Sequence, residues 1–137
     1  MNHLVFLDTH AGDLEKILSG MKSMIVKEFD PTRASGQPVR PGDSLFFLRN
    51  KDESILRVKA TVVRVLFYTD RTDDDLSHVL KEMQPRLQLT EEQYNTWSEK
   101  QKILLVEFEA AHKIDAIHVA SNKLTDWMAF EEFDLIM

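Results

Sequence analysis

Lys22 lies in the stretch ILSGMKSMIVKEF, residues 17–29, two positions after Gly20 and directly before a β-prone run. A lysine at such a helix-to-strand corner offers two kinds of chemistry. Stripped of water, its amine gives up its proton nearer neutral pH and serves as a general base. Protonated, it donates hydrogen bonds to a phosphate or a base carbonyl. The plainer alternative is an exposed ammonium that complements the carbonyl end of the preceding helix. A strand beginning near Ser23 puts Met24, Val26 and Glu28 on one face and Ser23, Ile25, Lys27 and Phe29 on the other. Lys22 then falls on the Glu28 side, which makes Glu28 a candidate carboxylate partner. Lys27, Arg33, Arg40 and Arg64 are candidate phosphate contacts. Trp97 and Trp127 are of the type that stacks on a base, although each also fits as a packed residue at the end of an element.

Other chemistries find no support. There are no cysteines, which removes disulfides, thiolate zinc sites and thiol nucleophiles together. The five histidines show no H-x-x-x-H, H-x-H or HExxH spacing, so no metal site is expected. No Walker loop, G-x-G-x-x-G or G-x-S-x-G appears, and no cofactor is expected. The longest apolar runs are interrupted by Arg64 and fall far short of a membrane span. The opening MNHLVFLDTH does not read as a signal peptide, so a cytoplasmic location is expected.

The 137 residues are 43% hydrophobic and 29% charged, which fits one globular domain over 1–137. A net charge of −6 disfavours non-specific nucleic-acid binding. The charge is unevenly spread, with Lys and Arg in surplus over 16–71 and acids in surplus over 72–137. One positive face on an acidic protein is compatible with that pattern.

The elements that must position these residues follow from periodicity. Residues 3–7 read as a short strand. Leu14, Ile17, Leu18 and Met21 keep helical spacing, with Asp13 as N-cap and Gly20 as breaker. Residues 23–29 form a strand, and 30–43, with Pro31, Pro38, Pro41 and two glycines, form a loop. A buried strand starts at Leu45 after the Pro41-Gly42 turn, and residues 55–68 alternate as one long antiparallel strand. A helix spans 72–83, with Asp73, Asp74 and Asp75 at its positive end. Thr90 to Gln93 is a capping box that opens a second helix to about residue 100. Strands at 103–109 and 117–119, a turn at 121–123 and an apolar stretch over 127–136 complete the chain. Phe46, Phe47, Phe67 and Phe108 are expected in the core.

Gly20-Met21-Lys22-Ser23, Lys27, Gly42-Asp43-Ser44-Leu45 and Ala60-Thr61-Val62-Val63-Arg64-Val65 occur in an order that resembles the ASCH branch of the PUA-like superfamily. The resemblance covers about residues 11–110 and rests on order and spacing. It implies an α+β protein, a mostly antiparallel PUA-like β-barrel with two to three inserted helices and a ligand cleft beside Lys22. It further implies RNA or a modified nucleoside as partner. One ASCH subgroup resembles amidohydrolases that deacylate N4-acetylcytidine with a lysine at this corner, a threonine three residues on and a distant glutamate. Lys22 matches the lysine, but Ile25 occupies the threonine position. Ser23 offers a hydroxyl on the opposite face from Lys22. Glu28, Glu107 and Glu109 are candidates for the glutamate by residue type alone.

The resulting expectation is a binding domain more than an enzyme. Lys22, Ser23, Lys27, Arg33, Arg40, Arg64 and Trp127 are its ligand contacts, and Lys22 and Glu28 its candidates for catalysis. An amidohydrolase acting on an acylated cytidine-type nucleoside, and a protein-interaction module without a nucleic-acid ligand, are the alternatives.

Overall fold

The computed structural model describes residues 1–8, 11–28, 39–49, 55–68, 73–100, 102–119 and 128–130. Within them the chain runs β1 (Asn2–Phe6), α1 (Asp13–Leu18), β2 (Met24–Glu28), β3 (Ser44–Leu48), β4 (Ile55–Tyr68), α2 (Asp73–Leu87), α3 (Glu91–Ser98), β5 (Ile103–His118) and β6 (Met128–Phe130). The strands form one mixed six-stranded sheet in the order β2-β5-β4-β3-β1-β6. All pairs are antiparallel except β1 with β3. This is an α+β architecture with three helices.

The sheet is strongly curled. Four strand spacings of roughly 4.8 Å would separate β2 from β1 in a flat sheet, yet Lys27 Nζ on β2 donates to the carbonyl of Phe6 on β1 at 2.6 Å. Val5, Ile25, Phe47, Val62 and Val106, from five different strands, share one buried cluster on the concave side with Leu14 and Ile17 of α1. The expected β-barrel is met in part, as a curled sheet that does not close. No backbone ladder among the described residues joins β2 to β1 or β6, and the seam is bridged there by a side chain.

Two further clusters cover the outer face. Met24, Val26, Ile103 and Leu105 pack under Leu80 and Leu87 of α2, with Tyr94 and Trp97 of α3 partly buried at the margin. Leu4, Phe46, Leu48 and Phe130 cover the β1–β3 side together with Leu56 and Val119.

A bulge in β4 decides what each layer receives. Val62 pairs with Phe108 and Arg64 with Glu107, which leaves Val63 as an extra residue. Before it, Val58, Ala60 and Val62 face the interior; beyond it, Val65 faces inward while Leu66 and Tyr68 join the helical layer. An inserted residue reverses the alternation of everything after it. Phe67, expected in the core, is 48% exposed. It lies beyond the stretch of β4 that β3 covers.

Several element boundaries differ from expectation. The strands at 103–109 and 117–119 are one continuous β5, whose polar middle pairs with the first half of β4. Pairing with β4 holds that ribbon together where no apolar alternation marks it, and the register shifts and a left-handed Ala110 (φ 57°) interrupt it without ending it. Helix α2 runs on to Leu87 through Pro85, where the missing N–H costs one bond near the helix end. The N-cap of α1 is Gly12 in the left-handed region, and Asp13 is the first helical residue. Asp13 is four residues before Ile17, so helical phase turns it inward with the core residues. The turn expected at 121–123, most of the loop at 30–43 and most of the last apolar stretch lie outside the described residues.

Candidate functional site

The Lys22 corner is built by local chemistry on both sides. Gly20 adopts φ +84°, a conformation that suits glycine, and ends α1. The chain then folds back so that Lys22 N–H reaches the Lys16 carbonyl at 3.1 Å. Next, Ser23 N–H donates to Arg86 O at 2.9 Å, and Phe108 N–H donates to Ser23 O at 2.9 Å. The corner is thus fastened to the end of α2 and to β5.

Lys22 itself is buried, with 3% of its surface exposed. Its ammonium donates to the carbonyl of Leu87, the last residue of α2. Lys16 Nζ donates to the next carbonyl, Gln88 O, at 3.0 Å. Two lysines and one backbone N–H therefore satisfy carbonyls at the negative end of α2, which are otherwise without partners in a helix. The exposed lysine complementing α1 is replaced by a buried one capping α2.

The carboxylate facing Lys22 is Asp13, 5% exposed, with Oδ1 at 3.8 Å from Nζ. Asp13 Oδ1 makes no hydrogen bond. Its other oxygen accepts from Asp8 N–H at 3.4 Å and from Gln93 Nε2 at 3.4 Å. Gln93 Nε2 also reaches Asp8 Oδ2 at 3.3 Å. Burial pushes the Lys22 pKa down to about 8; Asp13 pulls it back up, while Lys16 and Lys27 add to the depression.

A cleft of about 540 Å³ opens beside this network, lined by Asp8, Ala11, Thr90, Glu91, Glu92 and Asn95. Its volume falls in the ~300–1,000 Å³ range of small-ligand sites. Thr90 caps α3 through the capping box expected from the sequence: Thr90 Oγ1 accepts from Gln93 N–H, and Gln93 Oε1 accepts from Thr90 N–H. The same Gln93 side chain thus joins the cleft wall to Asp13.

The remaining candidates are dispersed. Glu28 is exposed at the far end of β2, where it pairs with Lys100 at 3.7 Å. Lys27 bridges the sheet seam to Phe6 O. Arg40 is exposed in a turn whose Gly42 has φ +93°, closed by Asp43 N–H to Arg40 O at 3.1 Å. Arg64 shares Glu107 with Arg86, at 3.3 and 2.9 Å. Ile25 is buried on the concave side. Arg33 and Trp127 lie outside the described residues. Sequence reading assigned Asp13 to a cap and passed over Arg86. The four-residue phase of Asp13 with Ile17 was the available signal for the former; Arg86 carries none, because only the packing of α2 brings it to β5.

The buried His3 is held elsewhere, its Nε2 at 2.8 Å from Asp43 Oδ2, on the turn that precedes β3. No group of three metal-ligating side chains occurs among the described residues, and no described helix is long and apolar enough to cross a membrane.

No protein-family model matches the chain, and no curated protein matches its sequence. Solved structures do match. ASCH from Zymomonas mobilis superimposes with a TM-score of 0.68 at 11% identity, covering 96% of this chain and 88% of that one. One single-residue variant of it gives 0.69 at 12% identity, with 97% and 92% covered. A second gives 0.62 at 14%, with 85% and 73% covered. Identities this low speak for the fold alone. The chain has an ASCH-type fold.

Proposed function

We propose that this protein is a PUA-like binding domain that takes a nucleoside-type ligand, free or within RNA, at the Lys22 corner. The observation that carries this reading is the buried Lys22–Asp13 pair. It combines an ammonium with one hydrogen-bond partner and a carboxylate oxygen with none. Unused polar capacity in a dry site is costly to stability, and sites of that kind concentrate where ligands bind. The acidic wall of the adjoining cleft suits the amino and hydroxyl groups of a nucleoside better than a phosphate. Phosphates of an RNA ligand fall instead to the exposed Arg40 and Arg64, with Arg33 as a further contact and Trp127 as a stacking surface.

The test is fluorescence anisotropy with short single-stranded and hairpin RNAs at two salt concentrations, with free modified nucleosides as competitors. Native protein is compared with Lys22→Met, which keeps the side-chain volume, and thermal melts report whether the variant folds. Binding that weakens in a folded Lys22→Met supports the reading. Absence of binding at low salt by every RNA and nucleoside overturns it.

One observation favours a second reading, an amidohydrolase acting on an acylated nucleoside. A lysine brought down to about 8 holds a usable fraction of free amine near neutral pH. Ile25 supplies no hydroxyl, so this reaction would require a water nucleophile. Turnover of N4-acetylcytidine that rises through about pH 8 in native protein and vanishes in Lys22→Met would establish it.

A further inference from the structure

We propose that Arg64 and Arg86, held on the two oxygens of Glu107, form a phosphoryl-binding subsite at the Lys22 end of the sheet. The proposal deepens the nucleic-acid reading above and rests on it for the origin of the phosphoryl group.

The three side chains come from three elements. Arg64 is opposite Glu107 in the β4–β5 ladder, and Glu107 is opposite Met24 at the start of β2. Arg86 enters from the last turn of α2, and its own carbonyl accepts the Ser23 N–H. The site therefore borders the Lys22 corner through Ser23 on one side and Leu87 on the other.

The geometry leaves binding capacity unused. Arg64 Nε lies 3.3 Å from Glu107 Oε1, and Arg86 Nε lies 2.9 Å from Oε2. One carboxylate thus orders two guanidinium groups while neutralising one charge. Both arginines remain open to solvent, at 44% and 47% exposure, whereas Glu107 is at 20%. Contact through Nε leaves the Nη edge of each guanidinium to meet a tetrahedral anion, the geometry that arginine forks favour. Pre-ordering by Glu107 lowers the entropy lost on binding.

The β4 bulge is an independent observation pointing the same way. Were Val63 an ordinary rung of the ladder, strand alternation would turn Arg64 toward the concave core with Val62. With Val63 bulged out, Arg64 shares the outer face with Glu107. Bulges recur where a strand must re-aim a side chain beside a functional site. A surface ion triad contributes little to stability, so stability alone gives weak reason for this device on a chain of net charge −6.

The experiment pairs two readouts on the full chain. In the first, a short single-stranded RNA is titrated at several salt concentrations against native protein, Arg64→Gln, Arg86→Gln and the double variant. The double variant is expected to lose roughly tenfold or more in affinity, with a log–log salt slope shallower by about 1–2. Unchanged affinity and slope in a folded double variant overturn the subsite. Glu107→Gln sharpens the test, because added positive charge alone predicts tighter binding, whereas loss of the shared support predicts weaker. Tighter binding by Glu107→Gln overturns the positioning role of Glu107.

In the second, the Nε–Hε signals of Arg64 and Arg86 are followed by NMR during titration with inorganic phosphate and with a ribonucleoside 5′-monophosphate. Saturable shifts of both signals are expected, larger for the mononucleotide. If no RNA binds, the nucleic-acid reading fails, and this titration still decides the subsite: shifts uphold it for small phosphorylated ligands, and their absence overturns it.

Discussion

Lys22 and Asp13 face each other at 3.8 Å inside the corner between α1 and β2, both almost wholly withdrawn from water. The ammonium is anchored to the end of α2, and the carboxylate is tied through Gln93 to the wall of a cleft. This pair couples the stability of the fold to the candidate site, and its protonation is the most direct handle on both.

Stability should rise with alkalinity at this position. The folded-state pKa of Lys22 is about 8, below its ordinary 10.5. Above pH 8 the unfolded chain holds a proton that the folded chain has shed, so stability increases with pH until both forms are neutral. The contribution is complete above about 10.5 and is lost as pH falls through about 8. It amounts to about 3 kcal/mol in the limit, from a shift of that size. Urea denaturation of native protein and Lys22→Met between pH 7 and 10.5 measures the difference. A flat difference would contradict the burial of the ammonium.

Asp13→Asn should push the Lys22 pKa further down, since Asp13 is the group that raises it. Removing one partner of a buried pair ordinarily costs about 3–5 kcal/mol. Here Lys22 can release its proton at pH 7 for only roughly 1–2 kcal/mol, so a loss of about that size is expected. NMR titration of the Lys22 Nζ and Cε signals, alongside denaturation, checks both parts.

Gln93 serves the α3 cap and the Asp13 network with one side chain. Thr90→Ala should cost about 1 kcal/mol, the ordinary value of a lost N-cap. Gln93→Ala should cost more, because it also strips a donor from the buried Asp13. A double-mutant cycle with Asp13→Asn, read by denaturation, should show non-additivity between Gln93 and Asp13 and near-additivity between Thr90 and Asp13.

Deleting Val63, the extra residue of the bulge, should restore a regular ladder in which Val62 still faces Phe108 and Arg64 still faces Glu107, with Leu66 and Tyr68 kept in the helical layer. Cooperative unfolding and near-ultraviolet circular dichroism should both survive the deletion. Val63→Ala, which keeps the bulge, should leave both nearly unchanged, as Val63 is itself exposed.

Burial lowers the His3 pKa, and the hydrogen bond and charge of Asp43 oppose that shift. His3 is therefore neutral in the fold at neutral pH. Its contribution to stability is complete above its ordinary 6.5 and is lost as pH falls through the lower folded value. Asp43→Asn removes the opposing influence, so the His3 titration should move to still lower pH. Proton NMR of the His3 ring provides the measurement.

The sequence by itself determined whatever short-range chemistry controls. The Thr90–Gln93 box and the turns at Gly20 and Gly42 are spelled in adjacent residues, and β4 is spelled by its alternation. Gly20-Met21-Lys22-Ser23 was legible as a corner for the same reason. The continuous β5 was not, because its middle is polar and owes its strand form to pairing with β4 rather than to a buried face. Tertiary structure alone decided what Lys22 touches. Its carbonyl partner is 65 residues away on α2, and its carboxylate is Asp13 in place of the in-phase Glu28. Likewise, Arg64 and Arg86 meet on Glu107 only because a one-residue bulge turns one strand face and a packed helix end arrives beside it. Side-chain neighbours across a core are set by how layers dock, and docking is written in the shapes of all the packed residues together.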